Sequence, residues 1–289
     1  MTHPGPVARV TPRGGTSVER RPALIRRLRP DEMFPSGLPT YRASIIALAS
    51  GERVRVTETG FSGGRPVVFL HGWGCSAWSF NRTMPAIAAA GFRAIAIGLP
   101  GHGLSGKPEG HAPYTTDAMV AHVTESLDVL GLDRPAIVAH SMGGAIAMHA
   151  VLRQEGRFRA LALLAPVGFG VARLASMGRR LSPGWTVPFS RAGLRRWVVA
   201  RILGLTYGSL GTFDQRDVDE YWAPGQFPGF VPAMRALLHH FRWTPFTWEE
   251  LLGSRTPTVL IRGSEDRVIL PLAEGLARYA GAREVEIPG

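Results

Sequence analysis

Apolar residues follow two rhythms along this chain of 289 residues. One is the short, nearly continuous apolar run: Pro66 to Leu70, Arg93 to Ile97, Pro135 to Ala139, Ala160 to Ala165 and Thr258 to Ile261. Such runs predict strands buried on both faces. The other is a helical period between them, in Ala77 to Ala90, Thr116 to Leu130 and Met142 to Gln154. Pro85 is expected as a local irregularity in the first of these helices. Thr and Asp open the second, and Gly131 closes it. Ahead of them, Ala43 to Ala49 and Arg53 to Thr59 read as a hairpin turning through Ser50-Gly51. Strand alternating with helix predicts a mostly parallel sheet with helices on both faces.

The alternation lapses between residues 168 and about 250. That stretch carries no apolar strand runs but has helical segments at Leu194 to Leu203, Asp214 to Trp222 and Pro232 to Phe241. An inserted helical cap over 168–250 is expected, between core segments 41–167 and 251–289. The core then resumes with Thr258 to Ile261, a helix from Leu272 to Tyr279 and a last strand near Glu284 to Ile287. Residues 1–40 are rich in Pro, Gly and Arg without periodicity and read as a flexible basic arm, with a short helical turn at Ala23 to Leu28.

Composition narrows the function classes. Hydrophobic residues make up 45% and charged residues 19%, a globular balance. No run approaches the ~20 apolar residues of a membrane span, and Ala23-Leu24-Ile25 is too short for a secretory signal core. A cytoplasmic protein with no stable membrane insertion is expected. The net charge of +11 is carried by arginines spread along the chain, Lys107 being the only lysine. Without a basic face interleaved with aromatics, no nucleic-acid partner is expected. The bias of the source genome accounts for the arginines, or else a weak attraction to anionic surfaces does. Cys75 is the only cysteine. A disulfide within the chain and a multi-thiolate metal site are thereby excluded, and the thiol reads as a small buried residue or a reactive loop group.

The strongest chemical signal is Ile137-Val138-Ala139-His140-Ser141-Met142-Gly143-Gly144. A strand runs into a serine with small residues two before and two after it, and a helix follows. This pattern makes a tight turn that lifts Ser141 above the sheet at a helix N-terminus, as a nucleophile requires. A second signal, His71-Gly72-Trp73-Gly74, follows the strand ending at Leu70. Its glycine lets the backbone turn toward the serine, so that the N–H groups of Trp73 and Met142 form an oxyanion hole. His71 is expected to brace that loop. No metal-ligand cluster, phosphate-binding glycine loop or nicotinamide fingerprint is present, so no cofactor and no metal are expected.

These motifs resemble the α/β-hydrolase superfamily over roughly residues 42–289, in the branch with a cap inserted after the sixth strand. Leu99-Pro100-Gly101-His102-Gly103-Leu104-Ser105 is similar to the family's loop after strand four, with Gly98 where the family usually has Asp. The resemblance implies a catalytic acid in Gly263-Ser264-Glu265-Asp266. Asp266 is the choice, with Glu265 the neighbouring alternative. It also implies a catalytic histidine after the last strand, where this sequence reads Pro288-Gly289. The expectation is a C-terminally truncated chain that lacks this histidine and the last helix, with poor solubility as a consequence. His102, His111, His239 and His240 are the weaker substitutes.

The implied reaction is hydrolysis of a small carboxylic ester with an apolar acyl or aryl group, through an acyl-enzyme on Ser141. The thirteen aromatics between Trp185 and Trp248 suggest an apolar pocket, with about half of them serving ordinary packing between cap helices and core. Two alternatives stay open: carbon–carbon bond hydrolysis on the same architecture, and a catalytically silent scaffold. A serine at this position excludes the branches of the family that use an aspartate nucleophile.

Overall fold

A computed structural model describes residues 28–182, 184, 194–209, 211–252, 254–271 and 282–288. The expected helices at Ala23 to Leu28 and Leu272 to Tyr279 lie essentially outside these residues.

The strands are β1 (Tyr41–Ala47), β2 (Arg53–Gly60), β3 (Pro66–Leu70), β4 (Arg93–Ile97), β5 (Ala136–His140), β6 (Ala160–Leu164), β7 (Gly170–Ala172), β8 (Thr258–Gly263), β9 (Ile269–Pro271) and β10 (Ala282–Ile287). Eight of them form one sheet in the order β1-β2-β4-β3-β5-β6-β8-β10. Only β1 with β2 and β2 with β4 pair antiparallel; the rest pair parallel. The mostly parallel sheet read from the sequence is therefore observed. Parallel pairing needs crossovers, and α1 (Thr83–Ala89), α2 (Thr116–Val129) and α3 (Met142–Arg153) supply them. Ten consecutive residues of α3, Met142 to Val151, are buried, which makes it the central helix of the molecule.

Thr115 caps α2 by accepting from Ala118 N–H at 3.2 Å, and Gly131 leaves it with φ of 62°. The single helix expected over Ala77 to Ala90 is instead a 3₁₀ turn at Ala77–Phe80 followed by α1. Pro85 stands in the first turn of α1, where a missing N–H leaves no gap in the helix ladder.

Between the two core segments lie α4 (Arg173–Leu181), α5 (Arg196–Thr206), α6 (Gln215–Trp222), α7 (Phe230–His240) and α8 (Trp248–Leu252). The stretch is not free of strand: β7 pairs antiparallel with β9. Three residues are too few to show a period. Arg242, after α7, holds Glu250 through two guanidinium bonds, one of 2.9 Å to Oε2, and its backbone N–H donates to Thr116 Oγ1 at 2.8 Å. The guanidinium lowers the Glu250 pKa from 4.5 to about 2. Its stabilisation is thus complete above 4.5 and lost as pH falls through about 2. We expect Glu250→Gln to lower the urea midpoint at neutral pH and to flatten its fall in acid, as read by denaturation at stepped pH.

Residues 28–40 depart from the expectation of a flexible arm reaching residue 40. Met33 and Phe34 are buried. Phe34 packs edge-on to Tyr41 and Trp78, and its N–H donates to Glu220 Oε1 at 2.8 Å. Arg216 donates to Glu32 O at 2.8 Å. This segment ties α6 to the sheet, an arrangement set by tertiary contacts that leave no local period.

Candidate active site

Ser141 has φ of 52° and ψ of −118°, a conformation that side chains disfavour. It is held there from both sides. Its N–H donates to Leu164 O at 2.9 Å, and its carbonyl accepts from Gly144 N–H at 2.9 Å and Val167 N–H at 3.0 Å. Small neighbours make the turn possible. Ala139 is fully buried. A Cβ on Gly143 would lie 2.7 Å from His71 O and closer still to Leu70 O. A Cβ on Gly72 would lie 3.1 Å from both Ser141 Cβ and His140 Nδ1. The structure therefore brings the loop after β3 directly against the serine and the start of α3.

The backbone N–H groups of Trp73 and Met142 make no hydrogen bond among the described residues. The first N–H groups of a helix point outward with partial positive charge. The Trp73 indole is occupied, donating to Met234 O on α7 at 3.1 Å.

His71 braces its loop. Its Nδ1 donates to Gly72 O at 2.9 Å and its Nε2 accepts from Leu99 N–H at 3.1 Å. Burial pushes its pKa down to about 4, so it stays neutral. Gly98 shows why the loop after β4 holds without an acidic side chain. A Cβ there would lie 3.0 Å from Arg55 O and closer to Ser105 Oγ, and that hydroxyl donates to Gly98 O at 2.9 Å. The Cys75 thiol is pushed up to about 11 by burial, so no thiolate is available at neutral pH.

Asp266 follows β8. Its Oδ1 accepts from Val268 N–H at 2.8 Å and Ile269 N–H at 3.0 Å, which leaves Oδ2 without a bond in the described residues. Glu265, the alternative acid, is engaged elsewhere: Ser209 donates to it from N at 2.7 Å and from Oγ at 2.8 Å. No described histidine hydrogen-bonds to Ser141 or Asp266. Of the named substitutes, His102 donates to Pro100 O, His111 stacks on His240 and His239 meets Ser182 Oγ.

His140 is the residue that motif reading passed over. Its Nδ1 is buried without a partner. Burial lowers its pKa, against the pull of the Asp266 carboxylate. Its place immediately before Ser141 was the available signal, since the residue preceding such a turn ends the strand at the same rim.

Packing takes somewhat more of the aromatics between Trp185 and Trp248 than the half expected. Phe230, Phe241, Trp243 and Phe246 belong to the main core, Tyr207, Phe213, Tyr221 and Trp222 pack around α5, and Trp197 is exposed. Trp185 and Phe189 lie outside the described residues. Among the described residues no cluster of His, Cys, Asp and Glu could hold a metal ion, and no helix is long and apolar enough to cross a membrane.

Residues 65–288 match the family model for the alpha/beta hydrolase fold, and the chain belongs to that family of enzymes. It is 29% identical over 243 residues to a dihydrolipoyllysine-residue acetyltransferase component of the acetoin cleaving system from Cupriavidus necator, covering 82% of this chain and 61% of that protein. It is also 29% identical over 241 residues to a 2-hydroxy-6-oxo-2,4-heptadienoate hydrolase from Pseudomonas putida, covering 80% and 82%. Among solved structures, a serine hydrolase involved in carbazole degradation superposes with a TM-score of 0.70 at 20% identity, covering 86% of this chain and 90% of that one. This last likeness concerns the fold.

Proposed function

We propose that Ser141 is the nucleophile of a serine hydrolase acting on small carboxylic esters with an apolar acyl or aryl group. The positive-φ turn at Ser141, seated against Gly72 at the N-terminus of α3, carries this reading. Ser141 Oγ attacks the ester carbonyl, the carbonyl oxygen gains the charge, and the N–H groups of Trp73 and Met142 donate to it. The alkoxide leaves with a proton, and water then releases the acid from the acyl-serine. Asp266 orients and stabilises the imidazole that carries the proton. In the family's order that imidazole comes from a residue after β10. Helices α4 to α8 act as the cap over this site, and the reading places the enzyme inside the cell.

A fluorophosphonate probe followed by peptide mapping tests the assignment. The expected result is labelling at Ser141, lost in Ser141→Ala. Labelling at any other residue, or an equal rate in Ser141→Ala, would overturn it. Carbon–carbon bond hydrolysis is the second reading, favoured by the Pseudomonas putida relative. Turnover of a dienoic ketone with no turnover of p-nitrophenyl butyrate would select it.

A further inference from the structure

Away from Ser141, a cavity of about 30 Å³ lies where β2, the loop after β4, α6 and the segment around Phe34 meet. Its walls include Arg55, Thr57, His102 and Glu220. Each of these residues has a buried polar atom with no partner: Arg55 Nε, Thr57 Oγ1, His102 Nε2 and Glu220 Oε2. Thr57, His102 and Glu220 are each more than nine-tenths buried. Four orphaned polar atoms around one void are far from what packing alone tolerates, because each has given up its hydrogen bonds to water without replacement.

The hydrogen inventory identifies what satisfies them. His102 Nδ1 lies 2.8 Å from Pro100 O, and a carbonyl only accepts, so Nδ1 carries the proton. Burial keeps this imidazole neutral. Its Nε2 therefore presents a lone pair and needs a donor. Glu220 Oε1 is taken by the Phe34 N–H and Arg216, so Oε2 also waits for a donor. Arg55 Nε can only donate, and the Thr57 hydroxyl can donate as well. The occupant must give two hydrogens and accept two. An anion such as chloride cannot donate to His102 and Glu220, and ammonium cannot accept from Arg55. Water does both, and needs only roughly 10–15 Å³ of such space.

We propose that this cavity is a binding site for one ordered water molecule, which donates to His102 Nε2 and Glu220 Oε2 and accepts from Arg55 Nε–H and the Thr57 hydroxyl. The water joins α6 to the loop after β4. That loop in turn meets His71 through Leu99 N–H, so the tie extends to the loop beside Ser141. The seating of α6 and of residues 32–34 thus depends on a solvent molecule as well as on direct contacts.

Diffraction from crystals of the 289-residue chain, fine enough to show waters, tests this. The expected result is one density peak within about 3.2 Å of at least three of the four atoms. Thr57→Val removes the hydroxyl but keeps the space, and should retain the peak on the other three. Thr57→Ile carries a further methyl into the void. It should expel the water and speed hydrogen exchange of the Phe34 amide by about tenfold, since that amide is held by Glu220. An empty cavity, or the four groups paired with one another, would overturn the proposal. So would wild-type exchange at Phe34 in Thr57→Ile. If Thr57→Ile does not fold, the wild-type density decides alone.

Discussion

Replacing Gly143 by alanine is expected to lower the melting temperature by about 6–12 °C. The new Cβ would meet two carbonyl oxygens, those of Leu70 and His71, at the end of β3. Backbone in the middle of a parallel sheet cannot swing aside as a side chain tip can. Overpacking of this kind costs about 1–3 kcal/mol and sometimes more, and we place Gly143→Ala near the top, at about 3 kcal/mol. At about 2–4 °C per kcal/mol for a domain of this size, the shift follows. Relief would come by moving the loop at His71 away from α3, which also separates the N–H groups of Trp73 and Met142. Activity should fall further than stability predicts. Calorimetry on Gly143→Ala, with Gly144→Ala as a comparison facing the ring of Pro166, measures the first part. A shift below 2 °C would show that β3 yields more readily than its pairing implies.

The second large effect concerns Glu220, whose side chain is fully buried while its partner Arg216 is 40% exposed. Because Arg216 reaches water, the charge pair itself contributes little. The Phe34 N–H is the greater stake, since in Glu220→Ala it stays buried without an acceptor. We expect Glu220→Ala to cost about 2–4 kcal/mol by denaturant midpoint. Glu220→Gln keeps an acceptor for Phe34 and should cost under about 1 kcal/mol. Burial raises the Glu220 pKa from 4.5, with Arg216 working against it. A group raised on folding contributes stability below its ordinary value, and that contribution is lost as pH rises through the folded value. The wild type should therefore lose this increment above 4.5, and Glu220→Gln should not. This trend runs opposite to that of Glu250.

The sheet was legible because its strands are local apolar runs with glycine or proline at their ends, and Ser141 because its turn is written in five adjacent residues. What depends on distant segments was not legible. Phe34 sits in a stretch without period, and its burial rests on Glu220, 186 residues away. Glu265 and Asp266 are neighbours of the same chemistry, and only the hydroxyl of Ser209 and the amides of Val268 and Ile269 distinguish their surroundings. Which of the aromatics after residue 168 serve packing was not legible, because composition cannot separate a wall from a core. Packing such as Phe246 against His149 and Phe169 makes that distinction.

The Phe246 N–H donates to Gly168 O at 2.9 Å. The segment between β6 and β8 thus begins and nears its end at two points one hydrogen bond apart. The entropy of closing a loop grows only with the logarithm of its length, about 0.6 kcal/mol per doubling. A few residues or a long run of helices could span the same gap at a difference of only about 2–3 kcal/mol. The architecture beneath Gly168 and Phe246 is accordingly a socket, in which the helices between them can be exchanged without refashioning the sheet.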